Sequence, residues 1–103
     1  MAPTYTKLSD AELSDKLRAL PGWTVDDGKL HRSYRFADFP AAMAFMVQVA
    51  FEAERLEHHP NWSNVYNRVE VTLWTHDVGG LTDRDLALAT AMEQRAAGAQ
   101  VEG

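Results

Sequence analysis

The stretch ERLEHHPNWSNVYNRVEVTLWTHD, Glu54 to Asp77, changes its periodicity in the middle, and that change decides the fold. Leading into it, Phe39, Met43, Met46, Ala50 and Ala53 recur at three- and four-residue steps, with Phe45, Val49 and Leu56 widening the apolar stripe of an amphipathic helix. Asp38 can cap this helix, with Pro40 in its first turn. Pro60 disfavours helical backbone at His59, so the helix is expected to finish near Glu57 or His58. Beyond the proline the period falls to two. Val69, Val71, Leu73 and Thr75 share one face of a long strand, and Glu70, Thr72, Trp74 and His76 share the other. Asn67 lies near the turn of the hairpin that this strand closes.

Working outward, Ser9 and Glu12 have capping-box spacing, and Leu13, Leu17 and Leu20 follow at helical intervals until Pro21-Gly22. The segment WTVDDGKLHRSYRF places strand-forming residues on both sides of Asp27-Gly28, a pair suited to a tight hairpin. Trp23 and Val25 share a face of its first strand, and Leu30, Tyr34 and Phe36 share a face of its second. After Gly79-Gly80, Thr82 caps a third helix with Asp85 at N3, and Leu81 can staple against Leu86. That helix carries Leu88 and Met92, runs to Ala97 and can end at Gly98.

The order α-β-β-α-β-β-α predicts an α+β fold: a four-stranded antiparallel sheet with three helices packed on one face. The uncovered face, with Trp74 on it, or a sheet edge is then expected to serve self-association. The 103 residues fit one domain spanning 1–103, with loose tails at about 1–6 and 98–103. Without cysteine there is neither a disulfide framework nor a thiolate metal site. A net charge of −5, with ten basic residues scattered among carboxylates, argues against nucleic-acid binding. No signal-peptide pattern and no apolar run of membrane-spanning length is present, so a cytoplasmic location and no membrane partner are expected.

His58, His59 and His76 are the residues best suited to chemistry, because imidazole exchanges a proton near neutral pH. A helix end and a strand end can bring all three to one pocket. Each also has a plainer explanation: histidines cap helix C-termini, and Asp85 at N3 is accounted for by capping. Trp23, Trp62 and Trp74 fit core or interface positions, and His31 stands without comparable company. Glu54 lies one helical turn before His58, where it could orient that ring. A Zn²⁺ or Fe²⁺ site from His58, His59, His76 and Asp77 is disfavoured, since adjacent histidines are poorly placed to hold one ion.

The spacing of Glu54, His58-His59-Pro60, Tyr66, His76 and Asp85, with HHPNWSNVYNRV, TH and GLTDRD, resembles the pterin-4a-carbinolamine dehydratase family. The resemblance extends through Gly22-Trp23 and FADFPAAMAFM to nearly the whole chain. It implies a hydro-lyase that eliminates water from 4a-hydroxytetrahydrobiopterin to give the quinonoid dihydropterin, in tetrahydrobiopterin recycling. It implies His58 as principal acid/base, His76 as a second acid/base, and His59 as a group that orients the pterin. Pro60, Trp23, Glu54 and Asp85 would be substrate-binding or supporting residues. No metal, nucleotide or redox cofactor is implied, and the expected partners are a pterin and further copies of the chain in a homodimer or homotetramer. The alternative is a non-catalytic assembly or dimerisation-cofactor module of the same fold; the chain's three histidines favour activity.

Overall fold

Ser9 opens the first helix as its spacing requires: its Oγ accepts from the Glu12 N–H at 3.1 Å, and the Glu12 carboxylate accepts from the Ser9 N–H at 3.0 Å. The computed structural model describes residues 6–102. Helix α1, Asp10–Lys16, tightens into a 3-10 turn at Leu17–Ala19. Strands β1, Thr24–Asp26, and β2, Lys29–Phe36, meet at Asp27-Gly28, whose φ values of 54° and 72° are the left-handed pair that a two-residue hairpin needs. Helix α2, Phe39–Leu56, starts at its Asp38 cap. Strands β3, Asn61–Val65, and β4, Arg68–Leu73, turn at Tyr66-Asn67, and α3 covers Asp83–Ala96.

The antiparallel sheet has the order β1-β2-β4-β3. Its register sets the faces: Leu30 opposes Leu73 and Tyr34 opposes Val69, all buried, whereas His31 opposes Thr72 and Ser33 opposes Glu70 on the other side. Helices α2 and α3 pack on the apolar face. The Phe45 ring of α2 sits 4.9 Å from Tyr34 and 5.0 Å from Phe36, and α3 adds Leu88, Ala89 and Met92 to the same buried cluster. Leu13 and Leu17 pack against its margin.

Three expectations are refined by the fold. A short fifth strand, β5 at Gln100–Glu102, pairs with the end of β2 where a loose tail was expected; the 1–5 part of the other tail lies outside the described residues. The face of α2 that meets the sheet is Ala42, Phe45, Val49 and Ala53, so Phe45, Val49 and Ala53 of the expected stripe are buried, with Met46 and Leu56 packed at the margin, while Phe39 and Met43 are not. The apolar residues of α2 cover more than one face, and its outer ones stay outside the core. Phe39, Met43, Val47 and Phe51 remain 46%, 37%, 53% and 74% exposed. Finally, the uncovered sheet face carries mostly polar residues, Thr24, His31, Ser33, Glu70, Thr72, Asn61 and Ser63, with exposed Val65 near one edge and Trp74 at the other end of β4.

Beside the aromatic core, Glu93 accepts from Trp23 Nε1 at 2.7 Å and from Arg32 Nε at 3.3 Å, while the Arg32 guanidinium lies over the Tyr34 ring. The Tyr34 hydroxyl is fully buried and has no hydrogen-bond partner among the described residues. Burial, aided by the Glu93 carboxylate, pushes its pKa well above the usual phenol range. The folded protein therefore keeps this proton after the unfolded chain loses it near pH ~10, so folding stability falls as pH rises beyond that point, by up to about 1.4 kcal/mol per pH unit. Tyr34→Phe is expected to match or exceed the parent's stability by about 1 kcal/mol at neutral pH and to flatten this alkaline decline. Urea midpoints between neutral and strongly alkaline pH measure both effects; parallel declines in the two proteins would contradict the assignment.

Candidate active site

The sequence ends α2 with a Schellman turn. The N–H of Glu57 donates to Glu54 O, and the N–H of His58 donates to Ala53 O at 3.0 Å. Glu57 takes the left-handed conformation, φ 52° and ψ 41°, at a position that usually falls to glycine. This reversal separates His58 from the helix face it would have shared with Glu54. Glu54 instead meets His59, whose Nε2 lies 2.7 Å from Glu54 Oε1, and the expectation that Glu54 orients His58 is corrected accordingly. Both members of the Glu54–His59 pair are largely exposed, which limits its contribution to stability.

His58 turns inward. Its side chain is 12% exposed, and its Nε2 lies 2.5 Å from Oδ1 of Asp85, a residue 27 positions away with no exposure at all. Burying a carboxylate costs several kcal/mol unless donors surround it, and the α3 N-terminus supplies them. Oδ2 accepts from the Thr82 N–H at 3.0 Å and from the Thr75 hydroxyl at 2.8 Å. Thr75 has then spent its only proton, so the 2.8 Å contact between the two threonine hydroxyls must run from Thr82 to Thr75. The Arg84 N–H in turn donates to Thr82 Oγ1. His58, the Thr75 hydroxyl and the Thr82 N–H reach Asp85 directly, the Thr82 hydroxyl and Arg84 N–H support them from behind, and the positive end of the α3 dipole adds to them.

An ionised Asp85 accepts from His58, so the neutral imidazole carries its proton on Nε2 and presents Nδ1 as an acceptor. Arg84 Nη1 also donates to Glu57 O at 2.8 Å, tying the start of α3 to the end of α2.

His76 is delivered differently. Strand β4 ends at Leu73, and an isolated bridge between Thr75 and Gly80, with Thr75 N–H to Gly80 O at 2.8 Å, closes a small loop. His76 begins the 3-10 turn His76–Val78 inside it, and Gly79 takes φ 62° to bring the chain back. The imidazole is exposed and stacks on Trp74, with centroids 4.3 Å apart and planes 22° apart.

One cleft of about 400 Å³ gathers these groups. It is lined by Glu57, His58, His59, Pro60, Asn61, Trp74, Thr75, His76, Asp77 and Arg84, and its size lies within the range of small-molecule sites. Three residues expected at the substrate stand elsewhere. Trp23 is buried in the core on Glu93, Asp85 is sealed behind His58, and Glu54 reaches the cleft only through His59. Among the described residues, no group of three His, Asp or Glu side chains is arranged to hold a metal ion. A second groove, lined by Lys16, Arg18, Leu20, Arg55 and Thr90 among others, contains no histidine. The sequence reading missed Thr75 as a partner of Asp85 and Trp74 as a wall of the cleft. A threonine just past β4 that continues its core-facing alternation, next to His76, was the available signal for the first.

The family model described as Pterin 4 alpha carbinolamine dehydratase matches residues 6–95. A protein of Solibacter usitatus with the provisional name pterin-4-alpha-carbinolamine dehydratase is 52% identical over 93 residues, which are 90% of this chain and 98% of that one. The crystal structure of a transcriptional coactivator/pterin dehydratase from Brucella melitensis superposes with a TM-score of 0.86 at 45% identity, covering 88% of this chain and 99% of that chain. A pterin dehydratase-like RuBisCO assembly factor of the alpha-carboxysome shares the fold, with a TM-score of 0.61 at 20% identity over 73% of this chain and 87% of that chain.

Proposed function

Because the chain belongs to the pterin 4 alpha carbinolamine dehydratase family, we propose that its cleft removes water from 4a-hydroxytetrahydrobiopterin, or a closely related 4a-hydroxytetrahydropterin, to give the quinonoid dihydropterin. Such a reaction would recycle the carbinolamine left by aromatic amino acid hydroxylases. The observation that carries this reading is His58: its Nε2 is committed to buried Asp85, and it lines the same cleft as His59 and His76.

The chemistry requires two proton movements. The C4a–O bond breaks as its hydroxyl gains a proton and leaves as water, while the N5–H bond yields its electrons to the new C4a=N5 double bond. In the proposed mechanism, Nδ1 of neutral His58 takes the N5 proton, and Asp85 stabilises the imidazolium that results. His76, entering as the imidazolium, protonates the leaving hydroxyl. His59, steadied by Glu54, and Pro60 position the bicyclic ring against the cleft wall. Acid–base groups of this kind each contribute about 10²–10⁴-fold. The test is direct: synthetic carbinolamine is mixed with the protein, and the quinonoid product is followed by its absorbance. Dehydration faster than in buffer is expected, and an unchanged rate would favour the non-catalytic assembly role.

The same reading includes self-association, for which the outside of α2 offers a surface besides the sheet face or edge. Phe39, Met43, Val47 and Phe51 follow one another at four-residue steps along the outside of α2, a stripe ~18 Å long. A two-fold axis across the helix would set this stripe against its own copy, giving a dimer or, with a second contact, a tetramer. The Val47→Glu/Phe51→Glu double variant is expected to sediment as a monomer, whereas the parent sediments as an oligomer. Equal sedimentation of the two proteins would remove this surface from consideration. Among the described residues, no helix is long and apolar enough to cross a membrane; a cytoplasmic site of action is part of the proposal.

A further inference from the structure

The three imidazoles of the cleft are held in place by different means. His58 is hydrogen-bonded to Asp85 and His59 to Glu54, so each has one ring nitrogen committed. Among the described residues the His76 ring makes no hydrogen bond or ion pair; what it touches is the face of Trp74, at 4.3 Å and 22°. Trp74 is itself braced. Its side chain packs against the hydrophobic core, and the Lys29 ammonium lies 4.4 Å from its ring centroid. Because Leu30 opposes Leu73, Lys29 stands across from Trp74 at the edge of the uncovered sheet face.

We propose that Trp74 is the positioning residue for His76, holding its ring by stacking so that both imidazole nitrogens stay available, with Lys29 fixing the indole in turn. A ring held by its face presents its two nitrogens in its own plane, away from the support. A ring held by a hydrogen bond loses one of them. His76, entering as the imidazolium, can therefore give a proton to the leaving hydroxyl from one nitrogen and, once the water has left, take a proton back from solvent on that same nitrogen, while the other N–H stays in place. His58, anchored to Asp85, has a single nitrogen for the substrate. The inference rests on the dehydratase reading of the cleft and adds a division of labour to it: His76 is reset by taking a proton from solvent, and His58 by releasing the N5 proton from Nδ1 once the product has left.

An exposed histidine on a short loop would otherwise sample several rotamers. Aromatic stacking of this kind favours one rotamer by roughly two- to tenfold, and small misplacements of a catalytic group carry rate penalties of that size or larger. Trp74→Leu keeps the apolar contact with the core but removes the aromatic face. It is expected to lower kcat by about five- to tenfold with KM changed less than about twofold, and Trp74→Phe, which restores a ring face, is expected to recover most of the loss. In nuclear magnetic resonance spectra of the protein alone, the His76 ring protons should move downfield in Trp74→Leu as the indole ring current disappears, while those of His58 stay in place.

Overturning results are a kcat within twofold of the parent, a loss carried by KM instead, a Trp74→Phe variant as impaired as Trp74→Leu, or His76 resonances that do not move. The spectroscopic measurement needs no substrate. If it fails, the role of Trp74 falls while the dehydratase reading stands. A parent protein without turnover overturns the dehydratase reading and the solvent-exchange role together, and the resonances still decide whether Trp74 positions His76.

Discussion

Replacing His58 and His76 together by alanine is expected to bring carbinolamine dehydration down to the rate in buffer. In the proposed mechanism each imidazole carries one of the two proton movements, and groups acting in one step are not additive: either single replacement should already remove about 10²–10⁴ of the rate. The folding costs differ. His76 is exposed and rests on one ring, so His76→Ala should change stability by less than about 0.5 kcal/mol. His58→Ala removes a donor from the sealed Asp85 carboxylate, which costs about 1–3 kcal/mol. His58→Gln retains an N–H in reach of Asp85 but cannot cycle a proton, so the His58→Gln/His76→Ala pair separates loss of chemistry from loss of fold. Stopped-flow turnover together with a thermal melt provides the check, and substantial turnover in a folded double variant would remove both residues from the mechanism.

Asp85→Asn should be nearly as damaging, although Asp85 is shielded from any ligand by full burial. Three donors converge on the carboxylate, from His58, Thr75 and Thr82. An amide offers one oxygen and one N–H₂ group. If its oxygen keeps the Thr75 and Thr82 bonds, its N–H₂ faces His58 Nε2 and drives the imidazole proton to Nδ1, the nitrogen that should accept from the substrate. The variant would then hold the wrong tautomer. A kcat reduction of about 10²–10⁴-fold with little change in KM is expected, with a stability loss of about 1.5–3 kcal/mol from the lost charge-assisted bonds. Steady-state kinetics and chemical denaturation report the two effects separately. A variant retaining the parent's kcat would reduce Asp85 to a helix cap.

The origin of the Asp85 role explains how the site could be read in part from the sequence. Thr82 and Asp85 are three residues apart, and a capping box is a local geometry, so the start of α3 was legible from the spelling alone. His58 contributes from 27 positions away, and nothing local to either residue encodes that meeting. The same division separates the expected Glu54–His58 contact from the observed Glu54–His59 contact. Helical spacing favoured the first, but the left-handed Glu57 rotates the chain at the end of α2 and makes the second.

By itself the sequence determined the elements and much of their boundaries, because caps, turn pairs and side-chain periods are set by neighbouring residues. It also determined the antiparallel α+β arrangement, since two tight hairpins leave few ways to pair four strands. The tertiary structure decided which part of the wide apolar stripe on α2 enters the core, because Phe39 and Met43 share its helical period with Phe45, Val49 and Ala53 and only the fit of Phe45 against the sheet separates them. It decided that Gln100–Glu102 pairs with β2, which depends on an edge left vacant beyond β1. Above all it decided the partner of each histidine: Asp85 for His58, Glu54 for His59, and the Trp74 face for His76. Those pairings arise where a helix end, a helix start and a strand end converge, and convergence is a property of the packed chain, not of any segment within it.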